Sequence, residues 1–141
     1  MTISDDTLNV DVFNTIRTLL ISASPKVTNT TTLATKTATV LSSYNDESVS
    51  VPQIIINPIK IDESEWKFGS FQGKKIINVE IECYYEKSVG VEQLSDIVSK
   101  TIKEATITGL DLIAVTSDYA FISPNDNKFH LKTLTFTFVR E

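Results

Sequence analysis

The sequence predicts an α+β fold, a mainly antiparallel sheet with one or two helices packed on one face. Three patterns carry that expectation. Apolar residues recur at three- and four-residue spacings near both Leu8 and Leu94, the signature of helices with one buried stripe. Strict alternation runs through Ile77 to Tyr85 and again through Leu134 to Phe138, the signature of half-buried strands. After Val51 the order is strand, glycine-hinged loop, strand, helix and a closing strand pair, which suits antiparallel pairing. With 141 residues and 41% apolar composition, the chain is long enough for one compact core, so a single domain over 1–141 is expected.

The first helix is expected from about Asp5 or Thr7 to Ser22, with Ser4 as N-cap and Asp5 and Asp6 in the first turn, where acid suits the helix dipole. Leu8, Val12, Ile16, Leu19 and Leu20 form its stripe, widened by Phe13, and Ser24-Pro25 ends it because proline forces its predecessor into extended geometry. From about 26 to 50 the chain turns rich in Ser and Thr. This segment reads as an inserted arm or loop carrying one or two edge strands around Thr30 to Leu41, with Val27, Leu33, Val40 and Leu41 too sparse for a core face.

Val51-Pro52-Gln53-Ile54-Ile55-Ile56-Asn57-Pro58 reads as a short strand covered on both faces and stopped by prolines. Ile59 and Ile61 extend it after a break. The loop from Glu63 to Gly73 is acidic and then aromatic, with Trp66, Phe68 and Phe71 around Gly69. Those rings either fold back into the core or serve as anchors for a neighbouring subunit, since interfaces are enriched in large aromatics. Lys74 to Tyr85 is the clearest strand, with Ile77, Val79, Ile81, Cys83 and Tyr85 inward. The second helix is expected from about Val91 to Ala105, with Ser88 or Gly90 able to start it, Leu94, Ile97, Val98, Thr101, Ile102 and Ala105 on one side and Gly109 where it should stop.

Leu112 to Ile122 gives the next strand, with Leu112 and Ala114 in one phase, and Pro124-Asn125-Asp126-Asn127 a turn. In the last strand Leu134, Phe136 and Phe138 alternate with threonines, whereas Phe129 and Leu131 are out of that phase. A bulge or an exposed apolar edge is therefore expected near Lys132, with Phe129 and Leu131 available for contacts.

Chemistry-bearing motifs are few. The single cysteine lies on an inward phase and reads as a small buried hydrophobe, and His130 has no nucleophile motif beside it. The run Asn125-Asp126-Asn127 lacks the carboxylate spacing of a calcium loop, and Asp62, Glu63 and Glu65 read as a solvated acidic loop. No catalytic residues, no metal ligands and no cofactor are expected. A formal charge of −5 gives no electrostatic basis for gripping phosphates, so specific nucleic-acid binding is not expected. The acidic start Met1 to Asp6 is unlike a signal peptide, and no apolar run approaches the ~20 residues of a membrane span, so synthesis in a cytoplasm without membrane insertion is expected.

The succession of N-terminal helix, the Pro-bracketed strand Val51-Pro52-Gln53-Ile54-Ile55-Ile56, strand-loop-strand, helix and closing pair resembles the tail terminator (tail completion) family of long-tailed bacteriophages. The segment Phe121 to Phe138 looks most like it: a strand, a polar turn around Asn125-Asp126-Asn127 and a long strand alternating to the last residues. The likeness covers Asp5 to Ser22 and Val51 to Glu141, and it lies in element order, not in invariant residues. It implies a homo-oligomeric subunit, usually a hexameric ring, at the virion tail or neck. Such a ring sits on the tail-tube protein, stops its polymerisation and docks the head connector, with DNA passing through and no cofactor or enzymatic activity needed. The Thr-rich arm departs from that pattern, where the link is much shorter, and its length suggests an arm reaching a neighbouring subunit. Another ring-forming neck or tail-tube component, or a small bacterial ligand-binding α+β domain, are the alternative readings.

Overall fold

The computed structural model describes residues 7–42, 52–62, 75–122 and 129–140. Helix α1 spans Leu8–Ala23 and buries Leu8, Val12, Ile16 and Leu20, one per turn, with Phe13 and Leu19 packed at the margin of the same stripe. Asp11 sits in its first turn, accepting a 2.9 Å bond from the Thr7 hydroxyl. The cap expected at Ser4 lies outside the described residues. At the other end Ser24 adopts the left-handed conformation, φ 48°, and returns its N–H to the carbonyl of Ile21 before Pro25 closes the helix.

The Thr-rich segment contains three short strands. β1 (Lys26–Thr28) and β2 (Thr35–Thr37) form an antiparallel hairpin of their own, and β3 (Thr39–Leu41) joins the main sheet as an edge strand. The hairpin turn is built by Asn29, whose side-chain oxygen accepts the N–H groups of Thr31 at 2.8 Å and Thr32 at 3.0 Å. Val27 is 5% exposed and belongs to the core, contrary to the expectation that this segment lacks a core face. A lone valine gives no periodicity to read; what buries it is the second helix, which packs against β1.

The main sheet adds β4 (Gln53–Ile56), β5 (Lys60–Asp62), β6 (Lys75–Tyr85), β7 (Asp111–Ile122) and β8 (Phe129–Arg140) in the order β3-β4-β6-β8-β7, with β5 also paired to β6. Every pair is antiparallel except β3 with β4. The fold is therefore α+β with a mostly antiparallel sheet, as expected. All four residues of β4 are buried, which matches its continuous apolar run. Helix α2 (Ser88–Glu104) begins three residues earlier than its stripe alone indicates and lies across β6 and β8, burying Val91, Leu94, Val98 and Ile102.

The core is organised by β6 and β8, which pair without interruption from Lys75 with Arg140 to Tyr85 with His130. Ile77, Val79 and Ile81 stand opposite Phe138, Phe136 and Leu134 on the helix-covered face, all buried. Each such side chain contributes on the order of 1.5–3 kcal/mol through burial. Leu131 and the threonines of β8 fall on the opposite face.

Two expectations for the closing pair are corrected. β8 carries no bulge near Lys132 and is not an edge; it is held between β6 and β7, so Phe129 and Leu131 do not line an exposed edge. The irregularity lies in β7, where the register steps between Leu112 and Ala114. That step places Leu112 opposite Phe138 and Val115 opposite Phe136, so Leu112 and Val115 pack on the core and Ala114 does not share their phase. One extra residue in a strand is invisible to a strict two-residue count.

Gly90, in the first turn of α2, is where helix, hairpin and sheet converge. A Cβ there would collide with Cδ2 of Tyr85 and lie 3.1 Å from Cγ1 of Val27. Gly90→Ala is expected to destabilise the chain by about 1–3 kcal/mol through this overpacking, despite the better helix propensity of alanine. Urea denaturation checks it; an unchanged or higher midpoint would contradict the packing described.

Candidate functional site

The residues singled out in sequence for contacts separate into three groups. Trp66, Phe68 and Phe71 lie outside the described residues. Phe129 is 3% exposed, so it is a buried side chain and not a surface anchor. Leu131 is half-buried on the sheet face away from the helices, beside Tyr84, its partner in β6.

That face carries a connected polar strip. The side-chain amide nitrogen of Asn57 donates to Oε1 of Glu82 at 2.9 Å and to Oε2 of Glu80 at 3.5 Å. Nζ of Lys60 lies 3.1 Å from Oε1 of Glu80, and the Tyr84 hydroxyl donates to Oε2 of Glu82 at 2.5 Å. Farther along, the Thr137 hydroxyl donates to Oδ1 of Asn78 at 2.9 Å. Alternation along β6 puts Glu80 and Glu82 on one side with nothing but a two-residue step between them. The carboxylates are tolerated because β4 and β5 are separated by a Pro58-containing break that delivers Asn57 and Lys60 to them. The strip is half-buried, hydrogen-bonded and already neutralised in part, which describes a structured surface more than a reactive one.

On the helix side, Cys83 has 0% exposure and stands opposite Lys132. Burial pushes its thiol up to about 12, against the smaller opposing pull of the Lys132 ammonium, and Glu82 adds to the rise. A thiol so held is not a nucleophile near neutral pH. Lys132 itself reaches the start of α2, its Nζ 2.7 Å from Oε2 of Glu92. His130 sits at the end of the same row between two exposed rings of β7: its Nδ1 hydrogen-bonds the Tyr119 hydroxyl, and its ring centroid is 5.0 Å from that of Phe121. The cross-strand register explains this, because Phe121 is directly opposite His130 and Tyr119 opposite Lys132.

Two further features escape sequence reading. A cleft of about 380 Å³ opens between the β1–β2 hairpin and the first turn of α2, lined by Thr30, Lys36, Lys87, Ser88 and Gln93 among others. Gln93 also clasps the hairpin: its Oε1 accepts the N–H of Thr28 at 2.8 Å and its Nε2 donates to the carbonyl of Thr28 at 3.0 Å, so a side-chain amide replaces a strand neighbour. The other feature is β7, whose outer edge has no strand beside it among the described residues and whose Ile113, Tyr119 and Phe121 are each more than half exposed. Alternation places this strand but carries no signal for which of two long strands ends the sheet.

No protein-family model matches the chain, and no curated protein matches it in sequence. The site is therefore defined by its own geometry: a polar strip, an aromatic cluster around His130, a hairpin held by an amide clasp, and a sheet edge that is open among the described residues.

Three outcomes test this arrangement. Cys83 in the folded chain is expected to resist alkylation at pH 8 and to react on unfolding, as read by mass spectrometry across a urea series. Its raised pKa also means that stability is full below the ordinary thiol value of 9.0 and falls as pH rises from there toward 12, because only the unfolded state releases the proton. Asn57→Asp would set a third carboxylate beside Glu80 and Glu82 in place of the amide that donates to both, and is expected to cost about 2 kcal/mol. Urea denaturation at low and high salt checks it, and a difference indifferent to salt would count against charge repulsion.

Proposed function

We propose that this chain is a structural virion protein that caps the head-proximal end of a long phage tail tube. It stops tube polymerisation there and offers the docking surface for the head connector. The observation that carries the reading is the succession of α1, β4, β6, α2 and the β7–β8 pair around one core, with helices on one face and, among the described residues, an open edge and a polar face left for neighbours. This is the element order on which the likeness to tail terminator proteins rests. In this role the subunit works in a ring, usually of six, seated on tail-tube protein and contacted from above by a neck protein. It acts by surface complementarity, and the acidic chain, at −5, does not grip DNA passing through the ring. Trp66, Phe68, Phe71 and Leu131 are the proposed contact residues. Phe129 is withdrawn from that set by its burial.

A second reading has one observation in its favour. The cleft beside the hairpin has the size of a small-ligand site, which suits a ligand-binding α+β domain. The two are separated by adding the chain to polymerising tail-tube protein. Capping predicts tubes that stop growing and carry a discrete ring at one end, with Trp66→Ala or Leu131→Ala reducing capping while the fold is retained. Self-polymerisation into open-ended filaments would assign the chain to the tube instead, and tubes growing unchecked would refute the capping reading.

A further inference from the structure

The exposed edge of β7 has an order of side chains that reads nearly the same in both directions. From Ile113 to Phe121 the residues run Ile, Ala, Val, Thr, Ser, Asp, Tyr, Ala, Phe, symmetric in size and polarity about Ser117. We infer that two copies of this chain pair antiparallel through β7, with Ser117 on the two-fold axis. In that register Ala120 meets Ala114 of the second copy, Tyr119 meets Val115 and Asp118 meets Thr116, while Phe121 reaches the bulge at Ile113.

Four properties of the edge support a second copy as its occupant. β7 is twelve residues long and pairs only with β8 among the described residues, so its other side presents a row of backbone donors and acceptors that another strand would satisfy. It contains neither lysine nor proline, and its bulge lies at one end, leaving Ala114 to Phe121 regular. Its large side chains are exposed in the free chain, Ile113 at 59%, Tyr119 at 52% and Phe121 at 53%. Charge then selects the register. Moving the centre one residue to Asp118 would set two aspartates directly opposite each other, and moving it to Thr116 would set Asp118 against Ala114 and carry Tyr119 to Phe121 past the bulge. Centring on Ser117 opposes apolar with apolar and leaves no acid facing an acid. Val115, Ser117, Tyr119 and Phe121 share the face of Phe136 and Leu134 by their cross-strand register, so the helix layers of both copies lie on one side of a continuous sheet.

The contact is isologous and so closes at two copies. It describes the chain before assembly and is independent of the capping reading, which needs a different, head-to-tail contact to close a ring.

The test is a set of cysteine and charge variants of the full chain, for which buried Cys83 leaves no reactive background. Ser117→Cys is expected to give a disulfide-linked dimer on mild oxidation. Thr116→Cys is not, because its own copy sits two residues along and beyond the ~7 Å reach of a disulfide. By sedimentation equilibrium, Thr116→Asp should weaken the dimer about tenfold or more by placing two aspartates opposite Asp118, and adding Asp118→Lys should restore it through opposite charges. A chain that stays monomeric at all concentrations would overturn the inference. So would a dimer of the Ser117→Cys variant whose introduced thiol stays free, or a dimer indifferent to the charge pair. Failure of tail-tube capping would leave this pairing standing, and a Ser117→Cys variant that does not cross-link would leave the capping reading standing.

Discussion

Everything in this fold leans on the uninterrupted pairing of β6 with β8. Eleven consecutive residue pairs fix which side chains share a face, and the row Ile77, Val79, Ile81 against Phe138, Phe136, Leu134 is the surface on which α2 rests. Because side chains alternate, a slip of one residue in β6 would send Ile77, Val79 and Ile81 to the polar side and bring Glu80 and Glu82 under the helix, and a slip in β8 would do the same with its phenylalanines and threonines. The acidic and hydroxyl residues therefore act as a register lock as much as the apolar ones do. Their cost on the wrong face is the desolvation of carboxylates, which is larger per residue than the gain from any one isoleucine.

Around that pair the elements differ in how much they depend on distant chain. β6, β8 and both helices are legible in the sequence because their periods of two and 3.6 are each sustained over several residues. The arm is legible only as composition. Its strands are three residues long, and they exist because Gln93, Val27 and the bare Cα of Gly90 let a hairpin dock on α2. None of those is a local signal. The bulge at Ile113 is hidden for a related reason: the phase of Leu112 agrees with the count before it and the phase of Val115 with the count after it, and only the partner strand reveals the extra residue.

The candidate site is less legible than the fold, and the cause is physical. An aromatic out of phase looks like a contact residue, yet phase within one strand says nothing about whether that strand ends the sheet. Phe129, out of phase, is buried; Phe121 and Tyr119, in phase with Val115, are exposed because β7 has no strand on its far side among the described residues. Exposure of an apolar ring on a sheet is decided by topology, which is a property of the pairing order. The inward phase of Cys83, by contrast, is readable from β6 alone.

The junction between the hairpin and the main sheet has a mechanical meaning. A single residue, Ala38, separates β2 from β3, and it is buried. Its N–H is bonded to the carbonyl of Pro25 at 2.8 Å, and the next N–H, of Thr39, to the carbonyl of Pro52 at 2.9 Å. There is no slack at this point for the hairpin to swivel about. The hairpin is anchored on both sides of this residue, so a partner that grips Thr35 to Thr37 loses little conformational entropy in ordering it. A load applied there would pass through these two bonds to Pro25 beyond α1 and to Pro52 at the start of β4.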